Sequence, residues 1–182
     1  MEPSDPQEPS DPQASSDPQA AEEPDTPAIR AAKAAGFAFD VVRTEPSTSA
    51  RESAERQGIR LEQLVRTIVI RRAADDYVFV LVPGGRQIDW PKLRAHLGRS
   101  RLSLPDAEEA RRATGYERGA ITPFGSVRPW PVIADAAITG LARVAIGAGA
   151  RGVNLHVAPA DLLAHLRADV VDVSRPDGQD PR

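Results

Sequence analysis

The sequence predicts an α/β domain built on a mixed sheet. Three observations carry this expectation: β-branched runs follow one another with no helix between them, capped helical segments enter at irregular intervals, and the order never becomes the repeating strand–helix unit of a doubly wound parallel sheet.

Each element has its own local reason. Thr26 is a helix cap with Pro27 at the first helical position, and AIRAAKAA then stops at Gly36. AFDVVRT (38–44) reads as a strand. Ser47 to Gln57 places small and charged residues at helical spacing and ends at Gly58. VRTIVIRR (65–72) and DYVFVLVP (76–83), joined by Ala73-Ala74-Asp75, read as neighbouring antiparallel strands, and Gly84-Gly85 ends the second. IDWPKLRAHLG offers Asp89 as a cap and Gly98 as a stop; LPDAEEARRATG offers a further helix that ends at Gly115. After the loop GAITPFG (119–125), the segments WPVIADAAI, LARVAIG, GVNLHVA and DVVDVS alternate like strands, with PADLLAHL as a helix before the last.

At 182 residues and 41% hydrophobic content, one domain can bury a real core if the polar residues are concentrated elsewhere. They are concentrated at the N-terminus, where residues 1–27 hold seven of the 17 prolines, eight acids and no Lys or Arg. PSDPQE, PSDPQA and SSDPQA repeat within that stretch. Such a composition cannot bury enough apolar surface to offset chain entropy, so residues 1–26 are expected to form a disordered acidic tail. A single folded domain is expected over 27–174 and a flexible C-terminal tail over 175–182.

Outside the N-terminal tail, 18 acids face all 23 basic residues, about +5 beside a tail of about −8. That surplus suits an anionic partner such as RNA, and it equally suits a solvated surface. Only Lys33 and Lys92 are lysines; the rest of the basic set is arginine. The absence of cysteine excludes disulfides, thiolate metal sites and a Cys nucleophile. With neither a signal-peptide pattern nor an apolar run approaching 18 residues, the expectation is a soluble cytoplasmic protein with no membrane contact.

Familiar catalytic patterns fail in context. Gly147, Gly149 and Gly152 spell GxGxxG, but the third glycine runs into the strand VNLHV and leaves no helix N-terminus for a pyrophosphate, so a glycine-rich hairpin connection is expected instead. His96, His156 and His165 have no metal-ligand or triad spacing, and no serine sits on a GxSxG elbow. Asp135 interrupts an apolar strand and reads either as a strand-end acid or as a pocket carboxylate. GAITPFG has a different character. Its glycines admit close approach to the main chain and its proline fixes local geometry, as a binding cradle made of backbone would require.

Taken together, STSARESAERQGIRLEQLVRTIVI, TGYERGAITPFG, WPVIADAAI and ARVAIGAGARGVNLHVAPADLL resemble the YbaK family, relatives of the editing domain inserted in bacterial prolyl-tRNA synthetases. The resemblance covers about residues 28–174 and implies a YbaK-like fold and metal-independent, cofactor-free hydrolysis of mischarged aminoacyl-tRNA at its 3′ aminoacyl-adenosine end. It makes an aminoacyl-tRNA synthetase a candidate second partner.

By the same resemblance, the catalytic set is Arg66, Gly119 and Asp135, and the substrate-binding set is Ala120, Ile121, Thr122, Pro123, Gly147 and Gly149. Two positions depart from the family pattern. Arg66 stands where the strand motif KTL carries lysine, and Gly147 where related proteins often carry serine. Arginine can supply charge but cannot act as a base. A non-catalytic module of the same fold that binds tRNA ends, nucleotides or a protein partner is the competing reading.

Overall fold

The hydroxyl of Thr26 accepts the amide of Ile29 at 3.1 Å, which starts α1 (Pro27–Ala35), and donates to the carbonyl of Ala148 at 2.6 Å. One side chain therefore caps the helix and ties its start to the distant half of the chain. The structure is a computed structural model that describes residues 23–178. After α1 come β1 (Phe39–Arg43), α2 (Ala50–Arg56), a 3-10 turn at Leu61–Gln63, β2 (Leu64–Ala73), β3 (Asp76–Pro83) and β4 (Arg86–Ile88). Then follow α3 (Trp90–Leu97), α4 (Ala107–Thr114), β5 (Val132–Asp135), a 3-10 turn at Ala136–Gly140, β6 (Val144–Gly147), β7 (Val153–Val157), α5 (Pro159–His165), β8 (Asp169–Val171) and β9 (Ser174–Pro176).

The main sheet is mixed, as the irregular order of elements requires. Its strands lie in the order β1-β7-β6-β2-β3-β5-β8; β2 runs antiparallel to β3 and parallel to β6, while β3, β5 and β8 are parallel neighbours. Strand β3 is apolar on both sides because both of its faces are covered. Tyr77, Phe79 and Leu81 pack toward α1 and the loops beside it, and Val78, Val80 and Val82 pack toward Leu93 of α3. Each such fully buried aliphatic or aromatic side chain contributes about 1.5–3 kcal/mol by leaving water. A third small cluster seats Ala54 of α2 on Leu64 and Ala145.

The glycine-rich segment 147–152 joins β6 to β7 as an antiparallel hairpin. The C-terminal boundary, however, differs from expectation. DVVDVS divides into two strands, and β9 pairs with β4 in a separate two-stranded sheet that places Arg175 opposite Gln87 and Pro176 opposite Arg86. Residues 175 and 176 therefore belong to the fold and not to a terminal tail. The reason is local: Val173 is fully buried and its amide is bound by Asp135, so the chain is drawn back across the sheet. The three-residue strand β4 is too short to show a period in sequence. The acidic repeats up to residue 22 and residues 179–182 lie outside the described residues. No helix among the described residues is long and apolar enough to cross a membrane.

Candidate functional site

A gap in the sheet makes a cleft. On the side away from β3, β2 pairs with β6 only at Leu64–Ala145 and Val65–Ile146. It acquires a neighbour again at Arg71, whose amide donates to Ser103 at 2.8 Å and whose carbonyl accepts from Ser103 at 3.2 Å. Between these points the strand edge is open. Main-chain polar groups alternate direction along a strand, so Thr67 and Val69, four and two residues before Arg71, turn their N–H and C=O into the gap. The cleft that results has a volume of about 500 Å³, within the range of ~300–1,000 Å³ that holds a drug-sized ligand.

The loop GAITP crosses this gap. Gly119 and Ile121 line the cleft, as do Arg66 on β2 and Gly147 at the end of β6. A Cβ at Gly147 would stand 3.3 Å from the carbonyl oxygen of Ile121, so the bare glycine is what lets the loop approach the strand. Gly119 has φ +89°, a left-handed conformation that side chains rarely adopt. Beside it the Arg151 guanidinium reaches over to donate to the carbonyl of Arg118 at 3.2 Å.

The loop is held from behind by residues turned away from the cleft. Thr122 is fully buried, and its hydroxyl accepts the amide of Phe124 at 3.4 Å. The Tyr116 hydroxyl donates to the carbonyl of Phe124 at 2.8 Å, and the Phe124 ring stacks on His165 at 5.5 Å and 9°. Ala120 is buried, its amide donating to Glu117 at 3.0 Å, and Pro123 is half-buried. Gly149 packs under Tyr116, where a Cβ would lie 2.7 Å from the ring. Of the expected substrate-binding residues, then, Ile121 and Gly147 line the cleft, while Ala120, Thr122, Pro123 and Gly149 lie outside its lining.

Arg66 is half-buried and donates to the main-chain carbonyl of Arg86, while its Nε is buried without a hydrogen-bond partner among the described residues. Asp135 lies apart from the cleft lining. It is 1% exposed, accepts the amides of Ala137 and Val173 at 3.0 Å each, and lies 3.8 Å from Nε of Arg86. Arg86 is fixed in addition by Ser174, to whose hydroxyl and carbonyl it donates at 2.6 and 3.1 Å. The carboxylate expected in the pocket is thus joined to Arg66 through Arg86.

Several lining groups gave no signal of their own in the sequence. Arg118, Asn154, Leu104 and Pro105 reach the cleft from separate elements, and Ser47, Ser49 and Ser53 bring hydroxyls from α2 and the chain before it. In the hydroxyl run Ser47-Thr48-Ser49, Ser49 caps α2 and the Thr48 hydroxyl donates to Glu52 at 2.9 Å. No carboxylate, imidazole or aromatic ring is in the lining. Chemically the cleft offers main-chain hydrogen bonds, two guanidinium groups, neutral hydroxyls and an apolar wall. This suits a neutral acyl group next to an anionic chain. Among the described residues no three His, Cys, Asp or Glu side chains are grouped to hold a metal ion.

The chain is similar to known proteins over most of its described residues. The model of the aminoacyl-tRNA editing domain matches residues 44–164, the span from the end of β1 through α5. An Enterococcus faecalis protein assigned as the Cys-tRNA(Pro)/Cys-tRNA(Cys) deacylase EbsC is 23% identical over 136 residues, which cover 75% of this chain and 83% of that protein. Proline–tRNA ligase of Xanthomonas axonopodis pv. citri is 32% identical over 129 residues, 71% of this chain but only 22% of the ligase. Among solved structures, one assigned as a trans-editing enzyme for prolyl tRNA synthetase superposes with a TM-score of 0.77 at 28% identity, covering 84% of this chain and 99% of that one.

Proposed function

The chain belongs to the aminoacyl-tRNA editing domain family, and from that membership we propose that it removes a wrong amino acid from tRNA by hydrolysing the ester at the 3′-terminal adenosine. The observation that carries this reading is the open edge of β2, faced by the GAITP loop and flanked by Arg66 and Arg118. An aminoacyl ester is already activated. Its hydrolysis needs a held water and donors for the oxyanion more than it needs a side-chain nucleophile.

The acyl group sits in the gap, and the main-chain amides of Thr67 and Val69 and the loop around Gly119 face its carbonyl. Water attacks that carbonyl carbon. The ester bond to the ribose oxygen then breaks, this oxygen takes up the proton that water gives, and a free amino acid and uncharged tRNA leave. Arg66, anchored at Arg86, supplies positive charge beside the developing negative charge. Asp135 acts through Arg86 to position Arg66.

The reading is metal-independent, supported by a lining with none of the side chains that usually coordinate a catalytic divalent ion. It places the activity in the cytosol, with mischarged tRNA as the partner and the synthetase that charges it as a second. The test is a panel of mischarged tRNAs assayed for ester hydrolysis by the purified protein, with and without a chelator. Hydrolysis of at least one species, unchanged by chelation, is the expected result. No hydrolysis of any species would leave the non-catalytic binding module, and loss on chelation would overturn metal independence.

A further inference from the structure

Leu104 is a large apolar side chain that the fold leaves 56% exposed, and it is exposed at the lip of the cleft. Val127 and Val170, the other large apolar side chains exposed in this way among the described residues, line no part of that cleft. The segment that presents Leu104 is fixed on both sides. Before it, Ser103 exchanges two main-chain hydrogen bonds with Arg71 and accepts from the Arg71 side chain at 3.0 Å. After it, the Pro105 carbonyl accepts from Arg118 at 2.7 Å, and Asp106 caps α4. A rigid segment that holds leucine in water, instead of folding it inward, forgoes stabilisation unless something covers it.

We propose that Leu104 and Pro105 form the platform on which the terminal purine base of the acceptor strand rests, with Arg118 beside it meeting the phosphate on the 5′ side of that nucleoside. The proposal rests on the deacylation reading and deepens it by giving the base a place separate from the acyl group. Three features support it. The cleft, at about 500 Å³, exceeds what an aminoacyl group fills by itself. Its lining holds no aromatic ring, Leu104 is the large apolar side chain of that lining that stands exposed, and bases pack against apolar side chains as well as aromatic ones. With two guanidinium groups and no carboxylate in the lining, the charge is complementary to a phosphodiester.

The test uses uncharged oligonucleotides with the acceptor-end sequence, one ending in adenosine and its twin ending in an abasic nucleotide, titrated into the full chain. The wild type should bind the adenosine-ended strand about tenfold more tightly, the size expected for one stacked base. Leu104→Ser should bring the two affinities within about twofold, whereas Val127→Ser should keep the difference. Both positions are exposed, and unchanged melting temperatures would show that the variants fold. A preference that survives Leu104→Ser, or a wild type that binds both strands equally or neither, would overturn the platform. Because no step of this measurement needs turnover, failure of the hydrolysis panel would remove the deacylase reading while a base preference lost with Leu104 would still stand.

Discussion

The main-chain carbonyl of Arg86 accepts a hydrogen bond from the guanidinium of Arg66, and this contact holds the Arg66 side chain at the cleft wall. Arg66→Ala should therefore lower turnover of a mischarged tRNA by roughly ten- to a thousandfold, the loss of one charge-assisted contact in the transition state. Arg66→Lys should retain or raise activity, since charge is kept. Single-turnover rates decide the matter: equal rates for all three proteins would take Arg66 out of the site.

Asp135 accepts two amides with its two oxygens, and asparagine has one acceptor where the carboxylate has two. Asp135→Asn should cost about 1–3 kcal/mol, the penalty for a buried donor left unpaired, seen as a lower denaturant midpoint. Turnover should fall less than in Arg66→Ala. Undiminished stability with turnover abolished would instead place Asp135 against the substrate.

Gly119→Ala tests the left-handed turn. At φ +89° any Cβ is strained by about 1–2 kcal/mol, although the nearest group it would meet, the Arg151 side chain, lies 3.7 Å away and can move. Gly119→Val adds bulk over the cleft on top of that strain. Both variants should fold with lowered melting temperatures, and valine alone should abolish deacylation. A folded valine variant with normal turnover would remove the loop from the chemistry.

His156 predicts a pH dependence of stability. Burial, followed by the charge of Arg143, lowers its pKa from the ordinary value, and Nε2 is 2.8 Å from the Gln57 side-chain oxygen. The unfolded chain then binds the proton more readily than the folded one. The neutral ring's contribution is fully present above the unfolded value of about 6.5 and declines as pH falls through it toward the lower folded pKa. Denaturant midpoints measured at about pH 7.5 and about pH 5.5 should fall further for the wild type than for His156→Gln. Equal falls would show that His156 titrates as it does in the unfolded chain.

The fold was legible where local chemistry and burial agree. Thr26 and Asp89 cap the helices expected of them, α4 ends at Gly115 as expected, and β2 and β3 are the antiparallel neighbours that their β-branched runs predict. What escaped was short or non-local. β4 and β9 have three residues each and exist because Asp135 holds Val173, a contact 38 residues distant along the chain. Of the residues that line the cleft, Gly119, Ile121, Arg66 and Gly147 could be named from the sequence because a recognisable pattern surrounds them. Leu104 and Asn154 carry no pattern and reach the cleft only when the sheet is assembled.

The unpaired edge of β2 has a further consequence for how such a site can be altered. Its hydrogen-bonding groups belong to the peptide backbone at Thr67 and Val69, so their direction is set by parity along the strand and survives most replacements of the side chains themselves. Replacing the side chain of Thr67 alone would leave these groups where they are. Deleting or inserting a single residue between Val65 and Arg71 would do what no replacement does: it would turn a different set of amides toward the cleft, and with them it would exchange the faces of the buried side chains of β2.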